Sequence, residues 1–171
     1  MMRTRRLVLR ELEPDDSASL ATLLRDRDVM RHYPAVLTAD VTAAWIGAMR
    51  GLYREWGLGL WTTTLHDGTF VGQCGILPQD VEGAREFEIA VFFHRAYWRD
   101  GYADEATGAC VDYAFQSLDA TRIIGLIYPE NRPSVRLAHR MGLRFDRRVK
   151  HNGEDMALYV RFNRGRAAVE A

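Results

Sequence analysis

The chain has 171 residues, 47% of them hydrophobic and 27% charged, which suits one domain with a sizeable core and leaves little room for two. Basic and acidic residues number 23 each, so the formal net charge is zero, which excludes a long-range electrostatic grip on nucleic acid or an anionic membrane but not a local basic patch. An aromatic content of 11% excludes a disordered chain.

Residues 6–12 (RLVLREL) alternate as a strand, with Leu7 and Leu9 on one face. Pro14, Asp15 and Asp16 open a helix with Asp15 as its N-cap, and Leu20, Leu23 and Leu24 recur at helical spacing. Residues 31–37 read as a loop, after which Thr38 caps a second helix. Its stripe is Val41, Ala44, Trp45, Ala48, Met49, Leu52, Tyr53 and Trp56. Gly57 and Gly59 end that helix. Residues 60–65 (LWTTTL) form a strand, the His66-Asp67-Gly68-Thr69 turn follows, and residues 70–77 return as a second strand that Pro78 ends. A polar loop leads to a third strand of this meander at residues 86–93 (EFEIAVFF).

The pattern then changes. Residues 94–101 form a loop, and a helix starts near Tyr102 with Ala103, Ala106, Thr107, Cys110, Val111 and Ala114 as its stripe. Residues 122–128 (RIIGLIY) are almost continuously apolar, the mark of a buried strand, and strand, helix and strand make a right-handed crossover. Asn131, Arg132 and Pro133 open a short helix that Met141 and Gly142 close. Residues 143–150, an Asn152-Gly153 turn and residues 155–162 make a terminal hairpin, and residues 163–171 read as a loose tail. The expected architecture is a single α+β domain over residues 1–162, with mixed αβα layers, about seven strands and about four helices.

Several chemistries are pruned by residue type. Lys150 is the one lysine, no G-x-x-x-x-G-K-[ST] is present, and Lys150 sits in a polar, turn-rich stretch unsuited to a Schiff base. Neither H-E-x-x-H nor G-x-S-x-G occurs. Cys74 and Cys110 have no metal spacing and apolar or small neighbours, so they read as buried thiols in a reducing compartment, and no metal is expected. Residues 1–10 are Arg-rich without the apolar run of a signal peptide, and no apolar stretch approaches a membrane span. A soluble, cytoplasmic protein is expected.

The segment Trp98-Arg99-Asp100-Gly101-Tyr102-Ala103 lies between a strand and a helix. A helix N-terminus presents unpaired N–H groups and a positive dipole end. Gly101 and Ala103 leave room for an anion, and Arg99 can add a charge-assisted contact, so a phosphate or diphosphate is the natural guest. Asp100 must then turn its carboxylate away. An ordinary strand-to-helix connection is the alternative reading.

Further on, Asn131-x-x-Ser134 opens the next helix and Gly142 follows eight residues after that serine. Together with the strand around Glu88 and the W-x-x-G-x-A of Trp98 to Ala103, this resembles the GNAT superfamily of N-acetyltransferases. The likeness spans residues 3–162 and is strongest to the ribosomal-protein N-terminal acetyltransferase branch (RimJ and RimL type). There, Y-W-x-x-G-Y-A-x-E-A is typical, as at residues 97–106, and so is L-x-L-R-x-L-x-P-x-D, as at residues 7–16.

The resemblance implies a GNAT-like fold with a centrally splayed sheet and acetyl-coenzyme A as co-substrate. Trp98, Arg99, Asp100, Gly101, Tyr102, Ala103 and Asp104 would bind its diphosphate through backbone N–H groups. The branch usually has Gly where this chain has Arg99. The pantetheine arm would lie against Ile89, Ala90, Val91 and Phe92 like an added strand, with Asn131 hydrogen-bonded to it and Ser134 near the sulfur. Glu88 would be the base that deprotonates the amine, with a pKa raised by partial burial, and Glu86 on the same face could substitute for it. Many members carry a Tyr four residues after the serine position; this chain has Ala138. Ser134 is then the candidate acid, with Tyr128 second. Met30, His32, Tyr33 and Pro34, with Trp61 and Gln73 on the sheet, would shape the acceptor pocket; a merely solvated His32 is an equal alternative.

The function implied is transfer of an acetyl group to a primary amine, on either a protein N-terminus or a small molecule. A non-catalytic acyl-coenzyme A sensor or scaffold on the same fold is the alternative, and an unrelated phosphate-binding domain a third. No direct nucleic-acid or membrane contact is expected, and a homodimer is possible.

Overall fold

The computed structural model describes residues 1–32 and 39–163. Thr38, Tyr33, Pro34 and the tail beyond residue 163 lie outside the described residues.

One eight-stranded sheet organises the chain. In chain order the elements are β1 (Met2–Arg3), β2 (Leu7–Arg10), α1 (Ser17–Arg25), α2 (Ala39–Trp56), β3 (Leu60–Leu65), β4 (Phe70–Val81), β5 (Ala84–Phe93), α3 (Tyr102–Gln116), β6 (Arg122–Ile127), α4 (Arg132–Arg140), β7 (Arg144–His151) and β8 (Glu154–Phe162). The spatial order is β1-β2-β3-β4-β5-β6-β8-β7, antiparallel except for β5 beside β6. The eighth strand, unforeseen in the sequence, is β1, whose two residues pair with Val8 and Leu9.

The two faces are read from register. Cys74 pairs with Val91, and its Sγ lies 3.6 Å from that of Cys110 on α3, so the two thiols are buried neighbours. Gln73 pairs with Phe92, and both meet Trp45 of α2. Helices α1 and α2 therefore cover one face and α3 and α4 the other, giving the expected αβα layering. The main core is continuous across β2–β5, while Ile124, Leu126, Leu158 and Val160 form a second cluster with Val81 and Val149.

Several boundaries move for physical reasons. A 3-10 turn at Pro14–Asp16 precedes α1, and Asp16, not Asp15, stands at the α1 N-cap, its side chain turned back onto the start of the 3-10 turn rather than onto α1. Its carboxylate accepts from the Glu13 N–H at 2.9 Å and from the Arg10 guanidinium at 2.7 Å. In α2 the buried positions are Thr42, Ile46, Met49 and Tyr53. Val41, Ala44 and Ala48, expected in the stripe, are exposed, because the helix is rotated by about one position. Strand β4 runs through Pro78 rather than ending there. By that point β3 has ended, its last partner being Gly75, so Pro78 needs no ladder donor on that side. The expected polar loop shrinks to a tight turn in which Glu82 (φ 54°) and Gly83 (φ 81°) take left-handed conformations. This long β4–β5 arm lays Val81 on the second apolar cluster and ties Glu82 to Arg147 of β7 at 2.8 Å.

Candidate functional site: a strand cleft ending at a helix N-terminus

Strands β5 and β6 separate at the centre of the sheet. β5 pairs with β4 along its whole length, from Ala84 to Phe93. With β6 it shares one bridge, Glu88 to Ile124. Beyond that bridge a cleft opens, lined on one side by Glu88, Ile89, Ala90 and Val91 and on the other by Gly125, Leu126, Ile127 and Tyr128. The start of α4 adds Ser134, and its N-cap Asn131, to the wall on the β6 side. Phe92 does not line this cleft: its ring is buried and set edge-on to Trp45, at 6.5 Å between centroids.

The C-terminal end of β5 leads into the α3 N-terminus. Trp98 anchors the loop by donating its indole N–H to the Phe93 carbonyl at 2.7 Å. Arg99 (φ 73°) and Gly101 (φ 78°) are both left-handed, which turns successive N–H groups toward one side. That accounts for glycine being usual in the branch where Arg99 stands, since a Cβ makes this conformation costly. The backbone N–H groups of Arg99 through Asp104 donate to no acceptor among the described residues. Asp100 is exposed and turns its carbonyl, not its carboxylate, to Arg6. The loop thus offers a cradle of unpaired donors at a positive helix end, the arrangement a diphosphate requires.

Asn131 caps α4, its Oδ1 accepting from the Ser134 N–H at 3.3 Å, which leaves the Nδ2 donors for a ligand. Ser134 is half-buried in the cleft wall.

Glu88 sits where the strands part. Burial pushes its pKa up to about 7, against hydrogen bonds from Gln79 and the Leu126 backbone that pull it down. The Gln79 Nε2 donates to Glu88 Oε2 at 2.6 Å. A carboxylate with such a pKa changes protonation near neutrality, as a proton acceptor must. Glu86 is on the same face but cannot stand in for it. It is 5% exposed and bound in a two-point ion pair by the Arg122 guanidinium, whose Nε donates at 3.0 Å. Arg122→Leu should lower stability by about 2–3 kcal/mol in urea denaturation, because it strands a buried carboxylate. Adding Glu86→Leu should recover most of that loss; a double variant as unstable as the single would overturn this role.

The expected acceptor-side residues divide. His32 reaches the cleft mouth, its ring stacked over that of Tyr128 at 6.5 Å and 25°. Met30 is buried in the core. Gln73 is fully buried and accepts from the Trp45 indole at 3.2 Å. Trp61 is on the wrong face. It pairs with Cys74 and meets Tyr113 of α3 edge-on, so it cannot border an acceptor on the Glu88 side. Sequence reasoning missed Gln79, the hydrogen-bond partner of Glu88, because the segment holding it read as loop. None of the helices among the described residues is long and apolar enough to cross a membrane.

Comparison with known proteins agrees with this geometry. The acetyltransferase (GNAT) domain family matches residues 6–144. The uncharacterized protein YkkB of Bacillus subtilis is 35% identical over 92% of this chain and 93% of its own. YnaD of the same organism, named as an uncharacterized N-acetyltransferase, is 31% identical over 82% of this chain and 81% of its own. The crystal structure of an acetyltransferase from Agrobacterium tumefaciens superposes with a TM-score of 0.81 at 25% identity, covering 95% of this chain and 94% of that one. The family's acetyl donor is acetyl-coenzyme A, and the unpaired N–H cradle and the parted strands fit it. By the extent of these matches and by the cleft itself, the chain belongs to the GNAT acetyltransferase family.

Proposed function

We propose that the chain transfers the acetyl group of acetyl-coenzyme A to a primary amine, with Glu88 as the base. The observation that carries this reading is the position of the Glu88 carboxylate at the apex where β5 and β6 part, where burial raises its pKa to about 7. Bound acetyl-coenzyme A supplies an activated acyl carbon and a sulfur leaving group.

The chain's own groups do the rest. The cradle at residues 99–104 holds the diphosphate of the donor molecule and the Asn131 Nδ2 its pantetheine arm. The open edge of β5 between Ile89 and Val91 supplies backbone N–H groups where negative charge develops on the acyl oxygen. An amine attacks only when neutral, so Glu88 accepts its proton, directly or through one water. The Ser134 hydroxyl, on the opposite wall, is the donor to the departing sulfur. Ala138 is buried and carries no hydroxyl, so it leaves Ser134 in that role.

The acceptor enters from the α1/α2 face, past His32 and Tyr128. The likeness of residues 97–106 to the RimJ and RimL branch favours an α-amino group at a peptide N-terminus. The test is thiol release from acetyl-coenzyme A with a panel of N-terminal peptides and small amines. Acceptor-dependent release, highest with a peptide, is the expected result. Coenzyme A binding with no release for any acceptor would replace this reading with that of a sensor or scaffold.

A further inference from the structure

The first turn of α3 presents a contradiction for an anion site. Asp104 and Glu105 occupy its third and fourth positions, and Asp100 precedes it. Acidic side chains there suit the helix dipole when nothing else binds, but they oppose a diphosphate at the same N–H groups. Asp104 is also at the position from which a carboxylate bends back onto the free N–H groups of its own helix end.

Two arginines from distant parts of the chain resolve it. Arg6, between β1 and β2, donates its Nε to Glu105 Oε2 at 2.7 Å and its backbone N–H to Glu105 Oε1 at 2.7 Å. Thr4 adds its hydroxyl to Oε1 at 2.6 Å. The same guanidinium donates to the Asp100 carbonyl at 2.9 Å, lies 4.2 Å from the centre of the Tyr102 ring and brings its Nη2 beside Gly101. Arg140 of α4 binds the Asp104 carboxylate at both oxygens, the Nη2 contact being 3.1 Å. Burial raises the pKa of Glu105, and the hydrogen bonds from Thr4 and Arg6 more than offset it, so the carboxylate stays charged and needs its partner.

We propose that Arg6 and Arg140 are positioning residues for acetyl-coenzyme A: they neutralise the Glu105 and Asp104 carboxylates and hold them off the α3 N-terminus, so that the N–H groups of residues 99–104 stay open to the diphosphate. Arg6 carries the larger share, because its pair is the more buried; side-chain exposures are 30% and 15% for Arg6 and Glu105, against 53% and 40% for Arg140 and Asp104. The proposal rests on the acetyl-coenzyme A cradle and not on the identity of the base or the acceptor.

The test is a charge-cancellation cycle read by calorimetric titration of coenzyme A. Arg6→Met should raise Kd at least about tenfold, against about threefold for Arg140→Met, with kcat at saturating donor nearly unchanged. Glu105→Gln placed in the Arg6→Met background should restore most of the affinity, since it removes the charge that Arg6 had masked. An Arg6→Met variant that binds normally, or one that Glu105→Gln fails to rescue, would overturn the proposal. Should Arg6→Met fail to fold, the exposed pair gives the same cycle through Arg140→Met and Asp104→Asn. Wild-type protein that binds no coenzyme A would instead remove the cradle itself, and binding without acetyl transfer would remove only the catalytic reading.

Discussion

Glu88→Gln should lower kcat by about 10²–10³-fold while leaving the affinity for coenzyme A within about twofold, the range expected when a positioned general base is removed without loss of ground-state contacts. The wild-type pH profile is the sharper readout. With the Glu88 pKa at about 7, kcat/KM should rise as pH climbs toward that value and level off above it. A peptide acceptor adds its own limb near about 8, the usual range of an α-amino group. In the Gln variant the lower limb should vanish and the acceptor's should remain.

Stability offers an independent check with a definite sign. The folded protein holds the Glu88 proton more tightly than the unfolded chain, from the ordinary value of 4.5 up to about 7. Wherever the native state binds more protons, stability falls as pH rises. The melting temperature of the wild type should therefore decline across that window relative to Glu88→Gln, which keeps the Gln79 side chain within reach and carries no charge. Retention of more than a third of kcat, together with an unchanged acid limb, would clear Glu88 of the role.

The sequence made the topology legible, because topology depends on local signals. Alternation in residues 7–10 and 60–65, the continuous apolar run of β6 and the Gly57 and Gly142 helix stops are all short-range features. The strand–loop–helix turn with its unpaired N–H groups was legible for the same reason: a strand, one glycine and a helix start within ten residues. What escaped depends on pairs far apart in the chain. Glu86 and Glu88 look equivalent in EFEIAVFF, and what separates them is Arg122, thirty-six residues on. Trp61 lies in a strand buried on both faces, where alternation cannot say which face is which. The clasp between Arg6 and Glu105 spans ninety-nine residues and has no local signature. Strand β1 is too short to show a period at all.

These distant pairs share a purpose. The cleft and cradle need backbone groups without partners, an arrangement that ordinary sheet and helix packing would close. Glu86 and Arg122 pair β5 to β6 by their side chains, two residues before the Glu88–Ile124 bridge at which the strands part. Arg6 and Arg140 bind the acids that would otherwise fill the helix end. Glu82 and Arg147 fix the β4–β5 arm across the sheet. Two of these pairs tie strands together on either side of the cleft, and two engage the acids beside the α3 N-terminus, so ion pairs between elements remote in sequence frame the region where backbone polarity is left unpaired.

Gly101→Val should abolish most coenzyme A binding while leaving the fold in place. The residue stands at φ 78°, and a Cβ there costs roughly 1–2 kcal/mol, more for a β-branched side chain. Part of that strain would be relieved by rotating the loop, which breaks the alignment of the N–H groups with one another. Each charge-assisted backbone hydrogen bond to a phosphate is worth about 1.5–3 kcal/mol, so losing two would weaken binding by about a hundredfold or more. The valine methyls would also stand beside Arg6 Nη2, 3.5 Å from the position of the new Cβ, and press on the clasp. Gly101→Ala should fall between, since it imposes the φ penalty without the branched bulk. The measurement is coenzyme A titration by calorimetry, with far-ultraviolet circular dichroism and a melting curve to show that each variant is folded. A folded Gly101→Val protein with affinity within threefold of wild type would mean that the diphosphate is not held by these backbone groups.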